Sequence, residues 1–246
     1  MAGMMFLVWL IHIPLKNAGI VDVAWAFGLA LLAAVYAALG DGDILRKWIF
    51  AAMVIVWGLR LTVHLFVRVV GHAEDGRYAQ MRKEWGGNIS LKFLVFFQFQ
   101  ALLNVFLAIP FLLVSVNTNS DLSFFEFAGM TIWAVALIGE SAADQQLRTF
   151  KSDPANKGKT CRKGLWYYSR HPNYFFEWLI WVSFFVFALG SPYGWASAVC
   201  PALMLYFLYR VTGIPATEAQ ALRTKGDDYR EYQRTTSAFV PWFKKN

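Results

Sequence analysis

Within long apolar stretches of this chain stand a few residues able to hold or move protons. Asp22, Arg60, His64, Glu140, Asp144 and Glu177 lie in or at the ends of runs otherwise built from Ala, Leu, Val, Ile, Phe and Trp. Ionisable groups in hydrocarbon are costly, and they usually face an interior cavity or a partner. Arg60 and His64 are four residues apart, as are Glu140 and Asp144, so each pair shares one face of a helix. A protonated carboxyl at Asp22 could serve as an acid toward a reacting centre. An ionised one would instead orient His64 or pair with Arg60.

A second set of residues lies in three polar segments. The first carries Asp75-Gly76-Arg77-Tyr78. The second runs from about 141 to 173, with Arg148 and Lys151 early and Tyr167-Tyr168-Ser169-Arg170-His171-Pro172-Asn173 at its end. The third is the C-terminal part, with Glu218, Tyr229 and the closing Phe239-Val240-Pro241-Trp242. Arg and Lys pair with phosphates. Tyr, His and Trp stack on a flat heterocycle, and acids or Asn hydrogen-bond ribose or an amide. A large, anionic, planar ligand such as a nucleotide cofactor suits this mixture. Membrane-surface aromatics and basics would give a similar composition.

The elements that must position these groups are apolar spans. The chain is 57% hydrophobic and 16% charged, too apolar for a soluble domain of 246 residues. Runs near the length a bilayer requires, about 20 residues, fall at roughly 3–15, 19–39, 48–70, 93–116, 122–140, 174–190 and 193–212. The first is short, but it has neither the basic start nor the small-residue cleavage site of a leader. With this span count, twenty of the 23 Lys and Arg residues fall on one side. By the positive-inside tendency that side is cytoplasmic. The expected fold is therefore all-α: a polytopic membrane protein with seven transmembrane helices, N-terminus outside and C-terminus cytoplasmic. Residues 1–246 are expected to form a single integral-membrane domain. Most intramembrane polarity converges on the cytoplasmic half, as for a site opening there; a transport path would need polar steps through to the other side.

Several chemistries are excluded. There is no G-x-G-x-x-G, Walker loop, H-E-x-x-H, paired C-x-x-C or G-x-S-x-G. The four His show no ligand spacing, so no metal is expected. Cys161 and Cys200 build no disulfide framework. No nucleic-acid recognition module is present, and no obligate protein partner is evident.

The stretch Gly164-Leu165 through Ser169-Arg170-His171-Pro172-Asn173-Tyr174-Phe175-Phe176-Glu177 resembles the C-terminal region of the membrane steroid 5α-reductase family, closest to its bacterial branch. The resemblance extends to Val21-Asp22-Val23-Ala24-Trp25, Trp57-Gly58-Leu59-Arg60-Leu61, Asp75-Gly76-Arg77-Tyr78, Gly213-Ile214-Pro215 and the tail through Trp242. It implies an NADPH-dependent reductase acting on the Δ4 double bond of 3-oxo-steroids or similar lipid enones, in the bacterial inner membrane, with the cofactor site facing the cytoplasm. Matching motif positions implies cofactor contacts by Arg77, Tyr78, Glu140, Asp144, Arg148, Lys151, Tyr168, Arg170, His171, Asn173, Glu177, Glu218 and Tyr229. The eukaryotic members have Asn at the position of Glu140. Their catalytic Glu falls on Asp22, while their Tyr falls near Trp57 or His64, so this chain lacks a tyrosine there.

The implied reaction is conjugate reduction. An enone lipid enters from the bilayer, its ketone lies near Asp22 with help from Arg60 or His64, and hydride passes from the nicotinamide to the β-carbon. The Arg-His-Pro-x-Tyr stretch also resembles membrane methyltransferases of the isoprenylcysteine carboxyl and phospholipid type, which use S-adenosylmethionine. The phosphates of NADPH account better for the density of Arg and Lys. A non-enzymatic lipid-binding or transport protein is a third expectation, and it predicts no nucleotide binding.

Overall fold

A computed structural model describes residues 1–244. The described residues are almost wholly helical, with a single isolated parallel bridge, Ser169 to Ser237. Five helical stretches are long and apolar enough to cross a membrane: Ile20–Leu39, Ile44–Val69, Ile89–Ser115, Phe124–Ser152 and Gly194–Lys225. The other two expected runs are also helical but shorter, at 14 and 17 residues. Large apolar side chains such as Val63, Leu102 and Ile138 point outward from the long helices, as lipid-facing positions do.

The chain forms two compact units. The first comprises Met1–Ser123 and Ala188–Ser197. It contains α1 (Ala2–Leu15), α2 (Ile20–Leu39), α3 (Ile44–Val69), α4 (Gly76–Trp85), α5 (Ile89–Leu107) and α6 (Ile109–Ser115). Helix α2 turns an alanine-rich face inward, with Ala26, Ala30, Ala33 and Ala37 buried, and α3 packs closely against it. Small side chains allow that approach, and in lipid close packing is what joins helices. Asp43 caps α3 by accepting from Arg46 N at 2.8 Å, and Asp75 caps α4 by accepting from Arg77 N at 3.0 Å. Pro110 near the start of α6 marks the break after α5. Buried Arg46 donates to the carbonyls of Asn119 and Asp121, tying the start of α3 to the loop after α6. The α1–α2 turn is fastened to the α3–α4 connection: Ala18 N donates to Glu74 Oε1 at 2.8 Å, and Asn17 reaches the carbonyls of Val69 and His72.

The second unit comprises Phe124–Phe187 and the chain from Ala198 onward. It contains α7 (Phe124–Ser152), α8 (Leu165–Tyr168), α9 (Pro172–Ala188), α10 (Val199–Tyr206), α11 (Ile214–Lys225) and α12 (Asp227–Thr235). A π-helical turn, Phe207–Val211, follows α10. Helix α7 continues twelve residues past the expected end at 140, because Glu140 to Ser152 holds no Gly or Pro to break it. Asp153-Pro154 then stops it. Two glycines let α9 lie directly on α7. A Cβ at Gly129 would stand 2.8 Å from Phe187 N, and one at Gly139 would strike the Phe176 ring. The C-terminal segment is laid against residues 166–170. Arg170 N donates to Ser237 O at 2.8 Å, Ser169 Oγ to Phe239 O at 2.7 Å, and Trp242 N to Tyr168 O at 2.9 Å. Tyr232 Oη donates to the carbonyls of Trp166 and Ser169.

Candidate functional site

In the first unit the polar centre is Asp22. Its Oδ1 accepts from Tyr78 Oη at 2.6 Å, and its Oδ2 accepts from Arg77 Nη2 at 3.2 Å. Both donors come from α4, which Asp75 starts as its N-cap; Asp75 Oδ1 also receives Arg77 Nε at 3.1 Å. Arg77 therefore bridges two carboxylates. Asp75 is held below the ordinary carboxylate range: burial works the other way, but the charge and hydrogen bonds of Arg77 prevail, with Arg68 adding to them. Burial and the neighbouring Asp22 charge push the Tyr78 hydroxyl well above its ordinary value, so it stays a proton donor. The ring is buried among Phe93, Phe97, Val21 and Ala24, and it meets Phe96 edge-on. Asp22 itself keeps some exposure, with 28% of its side chain accessible. Arg60 and His64 lie one turn apart on α3, both half-buried. A separate pair, Glu74 with Arg82 at 2.8 Å, braces the same connection. Shared depth in the membrane made Arg60 a candidate neutralising partner of Asp22; the ion pair seen at Asp22 comes from Arg77, 55 residues away.

In the second unit the expected contact residues gather around Glu218 on α11. Its Oε1 accepts from Arg170 Nε at 2.7 Å and His171 Nε2 at 3.2 Å, with the Tyr229 hydroxyl at 3.4 Å; its Oε2 accepts from Gln233 Nε2 at 2.7 Å. The carboxylate can only accept, so His171 presents Nε2–H to it. Arg170 also donates through Nη1 to the carbonyls of Gln233 and Thr236 at 2.9 and 2.7 Å. Its guanidinium thus joins three segments of the unit, and much of its donor capacity is spent on the protein. His171 is stacked on Tyr174 with ring centroids 5.3 Å apart. Burial lowers its pKa, outweighing the nearby Glu218, and so it is held as a neutral imidazole. Tyr229 is shifted upward by burial and by Glu218.

The remaining residues follow α7 toward its C-terminal end. Glu140, Asp144, Arg148 and Lys151 recur at spacings of four, four and three, which aligns them along one face. Glu140 is buried, and Asp144 Oδ1 accepts from Asn173 Nδ2 at 3.3 Å. Glu177 Oε1 accepts from Trp181 Nε1 at 3.2 Å on α9. Tyr168 lies further out, packing edge-on against Tyr167 and Phe243. Beyond the end of α7 is a cavity of about 200 Å³ that is lined by four lysines, Lys151, Lys157, Lys159 and Lys225, with Asn156 and Thr224.

Of the lysines, only Lys151 was singled out from sequence. Lys157 and Lys159 lie in the short Gly/Lys loop 156–159, whose charge was legible as a basic run but not as a wall. Lys225 ends α11, and nothing local ties it to the loop. Gln233 was missed because an amide within a charged helix carries no signal of its own.

A family model described as "Protein of unknown function (DUF1295)" matches residues 8–236 of the chain. No curated protein and no solved structure matches.

Proposed function

From the premise that the chain belongs to the DUF1295 family, we propose that it is a membrane reductase using NADPH to saturate the Δ4 carbon–carbon bond of a 3-oxo-steroid or a similar lipid enone. The observation that carries this reading is the lysine-lined cavity at the end of α7. Lysines from α7, the loop 156–159 and the end of α11 line this one small cavity, and an anion bound there would be attracted by all four. The phosphates of NADPH supply that charge. S-adenosylmethionine has no phosphate and bears a positive sulfonium, so a methyltransferase gains nothing from these lysines. The resemblance to the steroid 5α-reductase family supports the reading through the Arg170-His171-Pro172-Asn173-Tyr174 stretch.

The donor set of the second unit fits the cofactor. Lys151, Lys157, Lys159 and Lys225 would hold phosphates, with Arg148 exposed nearby on α7. Asp144 and Asn173, already hydrogen-bonded to each other, would present amide and carboxylate atoms to ribose hydroxyls or the carboxamide. Arg170, His171, Glu218 and Tyr229 form the frame that keeps these segments together. When bound, NADPH would supply a hydride for the β-carbon of the enone, and a proton from water would complete the saturation at the α-carbon.

In the first unit the Asp22–Tyr78 pair supplies a polar, proton-bearing group in otherwise apolar surroundings. Tyr78 Oη carries the proton, Asp22 Oδ1 holds the hydroxyl in place, and Arg77 fixes the carboxylate from the other oxygen. In this reading the Tyr78 proton turns from Asp22 to the ketone oxygen as charge develops there, while Arg77 offsets the carboxylate left behind. Tyr78 thereby takes up a proton-holding task for which the chain has no tyrosine near Trp57 or His64. In this reading the basic segments face the cytoplasm, where NADPH is made, as the positive-inside tendency favours, and the resemblance implies the bacterial inner membrane.

The test incubates purified protein with progesterone and NADPH, and separately with S-adenosylmethionine and a prenylcysteine. Formation of dihydroprogesterone is the expected result. Methylated prenylcysteine without steroid reduction would replace the reading with the methyltransferase alternative.

A further inference from the structure

The C-terminal segment of the second unit is pinned by its backbone and by buried Phe239, but it turns Trp242 and Phe243 outward. Residues 237–242 are fastened to 168–170 through Arg170 N–Ser237 O, Ser169 Oγ–Phe239 O and Trp242 N–Tyr168 O. Trp242 is nevertheless 67% exposed and Phe243 73%. Rigid, outward-facing aromatics are costly in water and favourable at a membrane interface, where Trp in particular concentrates.

Beside this shelf is a cavity of about 410 Å³, twice the volume of the lysine-lined one. Arg170, Gln233, Arg234, Thr236 and Ser237 line it together with Trp242 and Phe243. Arg234 is exposed and has no hydrogen-bond or ion-pair partner among the described residues. The second arginine of the lining, Arg170, is already paired with Glu218. Positive charge and hydroxyl donors within, and apolar rings alongside, match a phosphodiester joined to acyl chains. A free phosphate would use the donors but not the rings.

We propose that this cavity is a binding site for the headgroup of an anionic phospholipid, with Arg234 pairing the phosphate and Trp242 and Phe243 lying against the glycerol and first acyl carbons. The proposal does not need the reductase reading, although the cavity shares Arg170 and Gln233 with the frame around Glu218. It gives the second unit a fixed seat on the membrane surface, since the residues that touch lipid are backbone-locked to the segment carrying Arg170.

Short-chain phosphatidylglycerol and phosphatidylcholine, titrated calorimetrically against the full chain in neutral detergent, test it. Phosphatidylglycerol should bind more tightly, and Arg234→Gln should weaken it about fivefold, the order expected for one basic side chain at an anionic surface. Arg234→Lys should restore most of the preference. Arg223→Gln, which removes an equal charge on α11, should leave it intact. Trp242→Ala with Phe243→Ala should weaken both lipids while helical content by circular dichroism is unchanged. Equal binding of the two lipids, an unaltered preference in Arg234→Gln, or equal loss in Arg223→Gln would overturn the proposal. So would displacement of phosphatidylglycerol by glycerol phosphate at matching concentration, which would mark a site for soluble anions.

Discussion

The Tyr78 hydroxyl donates to Asp22 across 2.6 Å, joining residues 56 apart in sequence through a helix that Asp75 begins. The same carboxylate is clamped by Arg77, so one short helix supplies both of these donors. Tyr78→Phe removes a buried hydrogen bond to a charged group and should cost about 1.5–3 kcal/mol of stability. Thermal unfolding in detergent measures it. Asp22→Asn should abolish most turnover with enone while leaving NADPH affinity largely intact; near wild-type turnover would remove Asp22 from the reaction.

Lys157→Ala and Lys159→Ala act on the cavity at the end of α7. Each should raise the Kd for NADPH roughly tenfold, the effect of losing one charge-assisted contact. The two variants should also flatten the salt dependence of binding. Reduced nicotinamide riboside, which carries no phosphate, should bind them as it binds the wild type. Fluorescence titration at several ionic strengths separates these outcomes, and equal loss for both ligands would mean that the lysines hold no phosphate.

Glu218→Gln tests whether the Arg170 frame is a strut. Arg170 and Glu218 are both largely buried, at 12% and 15% side-chain exposure. Removing one partner leaves the other charge uncompensated, at a cost of roughly 3 kcal/mol. Arg170→Met with Glu218→Met should recover part of that loss, because no charge is then stranded. A double-mutant cycle followed by thermal unfolding checks the coupling.

His171 gives stability a specific pH dependence. Its folded-state pKa lies below the ordinary histidine value, chiefly through burial. In the unfolded chain it takes up a proton near pH 6.5, while the folded protein resists until lower pH. Over that window the unfolded state binds more protons, so stability falls as pH drops from about 6.5. His171→Gln should flatten this part of the profile. The carboxylates Asp75 and Asp228 are held below their ordinary range by arginine partners and hydrogen bonds, against the effect of burial. Their contribution is complete above about pH 4 and is lost only as pH falls further. Unfolding midpoints between pH 7 and 2 distinguish the two regimes.

Much of the helical framework was legible because a bilayer demands long apolar runs, and each of the seven runs expected from sequence lies on helix. The limits were less so. Helix α7 runs on to Ser152 because its polar last turns lack a breaker, and hydropathy reads polarity as an ending. Around Glu218 the sequence brought the right residues to notice, but it read Arg170 as reaching toward a ligand. In the structure its Nε and Nη1 also brace Glu218, Gln233 and Thr236. Spacing cannot reveal such a choice, since an arginine that braces and one that binds have the same local pattern. Asp22 illustrates the same limit: Arg60 is the nearer candidate by depth, but Arg77 wins through a turn and a cap that bring α4 back against α2.

The glycines at 129 and 139 on α7 have a further consequence. Urea acts by solvating apolar and peptide groups that unfolding exposes to water. Within lipid there is no such exposure to gain, and apolar burial does little to join helices; fit does. To the extent that lipid surrounds it, the junction of α7 with α9 should resist denaturant while remaining vulnerable to a single methyl group. Gly139→Ala would set a carbon against the Phe176 ring, one turn from the residues on α9 that include Asn173. The alignment of Asp144 with Asn173 is thus gauged by two missing side chains, like a spacer whose thickness is zero.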